Sequence, residues 1–259
     1  MDDALQRENA LIDSVLPLAQ RRIAAALRRI RRPTATIAVA ATRLGRLLVA
    51  ASDRGLLTVR YADDEDDTSF IADLRRLFDL AENPTLAADV SREIDALLNG
   101  CPEPITARPV DLSLVTSAFE RRALARLRAV PPGAVTTYRA LAAAAGSPDA
   151  QRAIGNTVAA NPLAIYVPCH RVIKSDGAIG NYGGGVQRKV ALLRAEGFVA
   201  DGAGRVPATA VYGHLGTRIF CRLTCGAARR ARRERMLIFA EPARAAAAGL
   251  RPCKLCRPG

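Results

Sequence analysis

The residues of this chain best suited to chemistry are five consecutive ones, Pro168-Cys169-His170-Arg171-Val172. The thiolate is the nucleophilic form of cysteine, and neighbouring positive charge lowers the pKa of a thiol. An adjacent histidine can take the thiol proton, directly or through a water molecule. The motif therefore predicts an activated sulfur nucleophile at Cys169. The alternative is a buried structural cysteine, which is the commoner fate of an isolated one.

Four other cysteines form a second candidate site. Cys221, Cys225, Cys253 and Cys256 follow a C-x3-C…C-x2-C spacing, which is not that of a disulfide framework. In an intracellular protein such pairs indicate zinc more often than disulfides. Cys101 stands apart, and we expect no role for it.

Charge indicates a polyanionic partner, most simply nucleic acid. The 259 residues carry a net charge of +13, with a pI of about 10.3. Residues 212–259 contain eleven Arg and Lys against two Glu, a net +9. Such an excess favours nucleic-acid binding. A preference for Arg and Ala in a GC-rich genome is the alternative explanation.

Composition and hydropathy limit the classes of protein to which this chain can belong. Apolar residues make up 49% of the chain, enough for a core without disulfides. There is no run of 18 uncharged apolar residues and no secretory signal pattern, so we expect a cytoplasmic, nucleoid-associated protein with no membrane contact.

The first half of the chain alternates between strand and helix patterns. Residues 5–32 repeat apolar positions every three or four residues and end in a basic run before Pro33, which predicts a helix. Alternating segments within residues 34–61 predict a small antiparallel meander. An acidic loop at 63–67 follows, then helices at 68–82 and 86–99.

From residue 116 the pattern is helical. One predicted helix stops at Pro131-Pro132-Gly133, a second begins at Thr137 and ends at Gly146, and a third runs from Ser147-Pro148 through Ala160. Two short helices around a glycine turn are typical of a helix-turn-helix, although many helical hairpins bind nothing. A glycine-rich loop around Tyr182 follows, which we call the glycine loop (Gly177, Gly180, Gly183, Gly184 and Gly185), and then a closing helix at 187–196.

From about residue 34 to residue 197 the chain resembles the O6-alkylguanine-DNA alkyltransferases. The ordered motifs that carry this resemblance are Pro131-Pro132-Gly133, Thr137-Tyr138, Arg152-Ala153-Ile154-Gly155, Asn161-Pro162, Pro168-Cys169-His170-Arg171-Val172, Asn181-Tyr182-Gly183-Gly184 and Leu192-Leu193-Arg194-Ala195-Glu196-Gly197. The resemblance implies an α/β N-terminal domain with a small antiparallel sheet and helices, followed by a helical alkyltransferase domain holding a helix-turn-helix.

The resemblance also implies roles for the reactive residues. Cys169 would take the alkyl group from guanine O6 and keep it as a thioether, so the protein would act once. His170, through a water, and Glu196 behind it would form the proton relay. Tyr138 would assist the leaving guanine by donating a hydrogen bond, and Asn161 would brace the site.

A base inside a duplex is out of reach of a buried cysteine, so the nucleotide must be flipped. Arg152 would fill the gap in the stack. The resemblance places its helix in the minor groove of double-stranded DNA, which carries little sequence information. The implied DNA-binding residues are Arg152, Ala150, Ala153, Gly155 and Thr137. The implied pocket residues are Tyr182, Gly183 and Val172.

The four-cysteine segment resembles the zinc domain of the Ada proteins. That resemblance implies one Zn²⁺ held by Cys221, Cys225, Cys253 and Cys256, with Cys221 as a second methyl acceptor from DNA phosphotriesters. Arg222 and Arg251 would face phosphates. Two features depart from the pattern: the segment follows the alkyltransferase domain instead of preceding it, and Leu223 replaces the usual proline.

The predicted organisation is an N-terminal basic helix (1–33), an α/β domain (34–112), a DNA-binding and catalytic domain (113–197), a linker (198–211) and a small zinc-bound domain (212–259). The predicted function is repair of O6-alkylguanine, and of O4-alkylthymine, by direct reversal in a monomer that needs zinc and no organic cofactor. The rivals are a non-enzymatic binder of alkylation damage and a zinc-dependent DNA-binding regulator.

Overall fold

A computed structural model describes residue 20 and residues 32–62, 67–229 and 233–258. All of the predicted basic helix at 5–32 except residues 20 and 32, and most of the acidic loop at 63–67, lie outside the described residues. Within the described ranges, every helix is too short or too polar to cross a bilayer.

The N-terminal part is a four-stranded sheet. Its strands are β1 (Thr34–Thr42), β2 (Gly45–Ser52), β3 (Gly55–Tyr61) and β4 (Asp79–Glu82), in the order β3-β2-β1-β4. The first three form the predicted antiparallel meander. The helix predicted at 68–82 is wrong at its end, because helix α1 (Asp67–Leu77) stops at Leu77 and residues 79–82 form β4, which runs parallel to β1. Pairing there satisfies backbone groups along the edge of β1.

One long helix covers a face of this sheet. Helix α2 (Pro84–Leu98) begins where the Asn83 side chain accepts a hydrogen bond from the Leu86 amide, and proline occupies its first turn. Its buried face is apolar, as the three- and four-residue spacing requires: Leu86, Val90, Ile94 and Leu97. Helix α3 (Glu103–Ala107) then leads into the second half of the chain.

The second half mixes helices with two short strands. The helices are α4 (Ala118–Arg128), α5 (Tyr138–Ala144), α6 (Gln151–Ala159) and α7 (Val186–Ala195), with a single 3₁₀ turn at Cys169–Arg171. Strands β5 (Ala134–Thr137) and β6 (Val172–Ile173) lie where no strand was expected.

Helix α6 starts later than the sequence predicts. Ala150 occupies its N-cap position without a side-chain hydrogen bond, so the predicted start at Ser147-Pro148 is wrong. Those residues form a turn instead, in which the Ala150 amide donates to the Ser147 carbonyl. Because of this turn, residues 145–150 separate α5 from α6.

The C-terminal segment is a small mixed module. Its elements are β7 (Val211–His214), β8 (Ile219–Arg222), α8 (Gly226–Arg229), a 3₁₀ turn (Arg233–Arg235), β9 (Met236–Phe239), α9 (Pro242–Ala247) and β10 (Arg251–Pro252). We call residues 211–258 the cysteine module, because the four clustered cysteines lie in it.

The cysteine module continues a sheet that begins in residues 113–197. We call residues 113–197 the catalytic half, because they include Cys169. Six strands run in the order β10-β8-β7-β9-β5-β6. Strand β9 pairs antiparallel with β5, with Val135 opposite Ile238, and β5 pairs parallel with β6, with Thr136 opposite Val172. One hydrogen-bonded sheet therefore links Cys221 on β8 to the strand that directly follows the Cys169 turn.

The two parts also share a hydrophobic core. Phe239 and Leu237 of the cysteine module belong to the same buried cluster as Leu124 of α4 and Leu141 of α5. On the surface, the Arg244 guanidinium lies so close to Gly197 that a Cβ there would come within 2.2 Å of it. The cysteine module is thus packed against the catalytic half instead of hanging from a tether.

This shared core predicts coupled unfolding. Replacing Phe239, which is 1% exposed, by alanine leaves a cavity between the two parts. We expect the free energy of unfolding to fall by about 3–5 kcal/mol. Urea unfolding should still show one transition when it is measured by circular dichroism and by the fluorescence of a label on Cys101. Leu255→Ala, at a 73% exposed position, is the control and should change little. Two separated transitions in the wild type would contradict the shared core.

Candidate functional site

Cys169 is held at the start of its 3₁₀ turn and is buried. The Asn161 side chain donates from Nδ2 to the Cys169 sulfur at 3.1 Å and to the Val167 carbonyl at 2.8 Å, while its Oδ1 accepts from the Leu163 amide. One amide therefore fixes both the sulfur and the chain that carries it. Sequence resemblance implied a bracing role for Asn161, and the structure places it in contact with the sulfur.

The backbone before Cys169 is strained. Ile165 has φ +74°, a conformation that β-branched residues rarely adopt, and it is buried. Such a residue costs on the order of 1–3 kcal/mol and persists where its surroundings hold it in place. The tight turn 163–167 carries the chain from Asn161 to Cys169, so this strain accompanies the positioning of the nucleophile.

Burial, rather than neighbouring charge, dominates the reactivity of the resting thiol. Burial raises the pKa of Cys169, and hydrogen bonds from Asn161 and Tyr182 and the positive charge of Lys189 offset part of that rise. The expectation that adjacent His170 and Arg171 would lower this pKa is wrong, because burial outweighs every favourable contact. A neutral resting thiol needs a base to remove its proton.

The base and its orienting carboxylate are in contact. His170 Nε2 lies 2.9 Å from Glu196 Oε1, and neither side chain is exposed. Burial lowers the pKa of His170, although Glu196 opposes that effect, so the imidazole is neutral at pH 7. Since an ionised carboxylate can only accept, Nε2 carries the hydrogen and Nδ1 presents a lone pair. Nδ1 is buried and has no hydrogen-bond partner among the described residues.

Arg171 acts on Glu196 and not on the thiol. Its guanidinium donates to both carboxylate oxygens, from Nε at 2.8 Å and from Nη2 at 2.6 Å, and also bonds to the Val130 carbonyl. Burial alone would raise the pKa of Glu196, but His170 and Arg171 lower it to about 2. Glu196 is therefore a fixed negative charge behind the histidine.

A buried lysine near the sulfur was missed by sequence reasoning. The Lys189 ammonium is fully buried and donates to the carbonyls of Val172 at 2.7 Å and Asn181 at 3.2 Å. Burial lowers its pKa to about 8, and the Cys169 charge opposes that change. The sequence spacing could have predicted this burial. Lys189 lies three, four and seven residues before Leu192, Leu193 and Glu196, so it shares their buried face of α7.

Two tyrosines lie near the sulfur. Tyr138 begins α5 directly after Thr137, whose hydroxyl caps that helix by accepting from the Ala140 amide at 3.1 Å. Burial raises the pKa of Tyr138, and a thiolate at Cys169 raises it further, so Tyr138 stays a hydrogen-bond donor. The Tyr182 hydroxyl bonds to the Cys169 sulfur, and burial raises its pKa well above the usual range.

Cys169, Asn161 and Tyr182 line a cleft of about 410 Å³. Tyr182 and Gly183 line it, as predicted for pocket residues. Val172 does not, since it is fully buried and its carbonyl accepts from Lys189. The opposite wall comes from the N-terminal sheet, through residues 58–61 of β3, and from Phe70 of α1.

The residues predicted to touch DNA lie at the outer side of α6. Arg152 and Ala153 are exposed, Ala150 and Gly155 are partly exposed, and a Cβ added at Gly155 would meet no atom within 4 Å. Helix α6 ends two residues before Asn161. A ligand lying along α6 therefore reaches the mouth of the cleft.

The four cysteines of the cysteine module form a metal site. The sulfur atoms of Cys221, Cys225, Cys253 and Cys256 all lie within 4.8 Å of one another. Tetrahedral zinc with bonds of about 2.3 Å needs sulfurs about 3.8 Å apart, so the cluster suits Zn²⁺. The Arg222 amide donates to the Cys256 sulfur at 3.4 Å, and the side chains of Arg222 and Arg251 are exposed nearby.

Fold and site together define the class of this protein. It has a buried cysteine next to a histidine and a carboxylate, an exposed helix close to that cysteine, and a module in which four cysteines form a metal site. Residues 118–198 match the family described as 6-O-methylguanine DNA methyltransferase, DNA binding domain, and residues 201–259 match the metal binding domain of Ada.

Curated relatives agree. The Methylated-DNA--protein-cysteine methyltransferase of Mycolicibacterium paratuberculosis is 35% identical over 153 residues, covering 59% of this chain and 87% of that protein. The Ada protein of Escherichia coli, a bifunctional transcriptional activator and DNA repair enzyme, is 41% identical over 164 residues. That match covers 61% of this chain and 44% of Ada, so the chain spans less than half of that relative.

Solved structures show the same fold. The Mycobacterium tuberculosis O6-methylguanine methyltransferase has a TM-score of 0.53 and 27% identity, covering 65% of this chain and 96% of that one. A structure of that organism's OGT in complex with DNA has a TM-score of 0.51, covering 62% and 93%. The chain belongs to the methylated-DNA–protein-cysteine methyltransferase family, and it carries one zinc site of the Ada type in its cysteine module.

The buried carboxylate predicts a stability that depends on pH. Glu196→Gln leaves the Arg171 cation buried without its counter-charge, which we expect to cost about 3–5 kcal/mol at pH 7. Because the folded-state pKa of Glu196 is lowered to about 2 from an ordinary 4.5, its stabilisation is complete above about pH 4.5 and is lost as the pH falls towards 2. Urea midpoints of wild type and variant should converge over that range. Glu82→Gln, at an exposed position, is the control. A difference between the urea midpoints of wild type and Glu196→Gln that stays constant with pH would argue against the charge pairing.

The sheet predicts that zinc stabilises the catalytic half. Chelation should release about one zinc per chain and reduce amide exchange protection at Ile238 and at its partner Val135, because β9 lies between β7 and β5. Mass spectrometry of deuterium uptake and metal analysis measure both effects. Cys256→Ser should weaken zinc retention, whereas Cys101→Ser, an exposed cysteine outside the cluster, should not. Unchanged protection at Val135 after zinc loss would refute the coupling.

Proposed function

We propose that this protein repairs DNA by transferring the alkyl group of O6-alkylguanine to Cys169 in a single turnover. The observation that carries the proposal is the buried Cys169 thiol, which is held by Asn161 and lies next to a neutral His170. The Nε2 atom of His170 bonds to Glu196, which leaves Nδ1 free to take a proton. A structural cysteine would not need a base with an ionised orienting partner. The names of the relatives support the same activity.

The proposed reaction is an in-line displacement. The thiol proton passes through a water to Nδ1 of His170, and Glu196 stabilises the imidazolium. The thiolate attacks the alkyl carbon, a carbon–sulfur bond forms, and the bond from that carbon to O6 breaks. The electron pair stays on the guanine, which takes a proton from the Tyr138 hydroxyl. The proton held by His170 then returns through water to the Tyr138 oxygen, so that both side chains are neutral again and the products are guanine and S-alkylcysteine.

The Lys189 ammonium and the Asn161 and Tyr182 hydrogen bonds stabilise the thiolate once it forms. Their effect is large because the site is buried, where charge interactions are strong. The thioether product has no leaving group for a second displacement. The protein is therefore consumed by its reaction.

We further propose that α5 and α6 act as a helix-turn-helix on double-stranded DNA. Helix α6 would enter the minor groove, where small residues at 150, 153 and 155 allow close approach. Exposed Arg152 would replace the flipped nucleotide in the stack, and the flipped base would enter the cleft beside Cys169. Because one chain supplies nucleophile, relay and cleft, a monomer suffices for repair of chromosomal DNA inside the cell.

We extend the proposal to O4-alkylthymine, because its ring is smaller than that of guanine. A non-enzymatic damage binder is disfavoured, because such a protein has no need of a thiol, a base and a buried carboxylate in one chain of contacts.

Mapping the acceptor tests this function. Incubation with a duplex containing O6-methylguanine should place one methyl group per protein on the Cys169 peptide, measured by mass spectrometry. Cys169→Ser should abolish transfer but still bind the duplex, and Cys101→Ser should react like the wild type. His170→Phe should slow transfer by about 10²–10⁴-fold, as expected for loss of a general base. An unmodified Cys169 after full reaction would sink the proposal.

A second acceptor is proposed at Cys221. Zinc keeps a coordinated cysteine as a thiolate, and exposed Arg222 beside it offers a contact for a phosphate. The expected product of DNA carrying methyl phosphotriesters is S-methyl-Cys221, formed when the methyl carbon leaves its phosphate oxygen. A duplex with phosphotriesters and no base damage is the substrate, and peptide mapping is the readout. Methyl on no cysteine of the cysteine module would remove this activity and leave repair at Cys169 untouched.

A further inference from the structure

The wall of the cleft opposite the glycine loop comes from the N-terminal sheet, which lies outside the matched DNA-binding domain. Tyr61, the last residue of β3, stands at this wall, and Leu47 of β2 opposes it in the sheet. The sequence pattern places residue 61 only at the end of a strand, so the position of Tyr61 in the cleft is a property of the tertiary fold.

Two side chains hold the Tyr61 ring in place. Its ring meets Tyr182 edge-on, with centroids 6.1 Å apart and an interplanar angle of 81°. The Arg188 guanidinium lies 4.3 Å from the centroid of the Tyr61 ring, and Arg188 donates to the Leu44 and Gly184 carbonyls at 2.6 and 3.1 Å. A tyrosine held in this way forms a rigid wall.

The glycine loop is shaped to receive this ring. A Cβ added at Gly184 would lie 2.2 Å from the Tyr61 Cε2 atom and 2.6 Å from its Cδ2 atom. The loop backbone therefore packs directly against the aromatic face. Any residue larger than glycine at 184 would push Tyr61 or the loop away, so the two positions together set the width of the cleft.

The Tyr61 hydroxyl also reaches towards the nucleophile. It lies 3.3 Å from the Tyr182 hydroxyl, which in turn bonds to the Cys169 sulfur. When Tyr182 donates its one hydrogen to the sulfur, its oxygen is left to accept from Tyr61. The N-terminal domain is thus two hydrogen bonds away from the reacting atom.

We propose that Tyr61 is a specificity-determining residue that limits the size of the alkyl group accepted at Cys169. The ring excludes bulk from the side of the cleft that the N-terminal sheet closes. The hydroxyl has a separate, positioning role, because it orients Tyr182 whichever alkyl group is bound. This inference rests on the proposed function and adds to it the residue that selects among alkyl substrates.

Two variants separate the ring from the hydroxyl. Tyr61→Leu removes the wall, and we expect the ratio of rate constants for O6-benzylguanine over O6-methylguanine, each in the same duplex, to rise about tenfold or more. Tyr61→Phe keeps the wall and loses one hydrogen bond, so both rates should fall by the same factor, of about tenfold at most. Val39→Ala, at a 45% exposed position on the same sheet, is the matched control and should keep both rates.

Transfer is followed by the mass of the Cys169 peptide, and folding of each variant by its thermal midpoint. If Tyr61→Leu does not fold, Tyr61→Met, which also removes the ring, gives the same comparison. A ratio in the folded variant equal to that of the wild type would overturn the proposal while methylation of wild-type Cys169 still supported repair. No methylation in the wild type would instead overturn the proposed function.

Discussion

The catalytic half depends on the buried carboxylate of Glu196. Its two oxygens receive Arg171 and His170, and Arg171 extends the contact to the Val130 carbonyl at the end of α4. A buried charge without such partners is costly, so the carboxylate, the guanidinium and the imidazole must fold together. The same contacts that stabilise this core fix the histidine tautomer. Structure and reactivity therefore rest on one interaction.

Around this centre, the protein combines a nucleophile that is neutral at rest with groups that favour its charged form. Burial raises the pKa of Cys169, while Asn161, Tyr182 and the Lys189 ammonium stabilise the thiolate that transfer requires. A thiol that ionises only when its base is engaged is protected from stray oxidation and alkylation, because the thiolate is the reactive species. Such protection suits the single-turnover transfer proposed for Cys169.

The cysteine module is integrated into this frame by strand pairing. Since β9 adds to β5, and β5 pairs with β6, the metal site and the Cys169 turn lie on one sheet. A module of its size has a small core and leans on its metal. Sharing Phe239 and Leu237 with the core of α4 and α5 enlarges the apolar surface that both parts bury.

The sequence by itself determined the chemistry available and its order along the chain. Cys169, its histidine and the four cysteines were predicted from residue types and spacing, because these motifs are local, and Glu196 was predicted only through the family resemblance. The tertiary structure decided everything that depends on long-range contacts and burial: the direction of the Cys169 pKa shift, the use of Arg171 on Glu196, the buried Lys189 and the Tyr61 wall. It also decided the pairing of β5 with β9, in which Val135 lies opposite Ile238, 103 residues further along the chain. A pKa or a cleft wall depends on which groups surround an atom in space, and local patterns carry no record of neighbours brought together by folding.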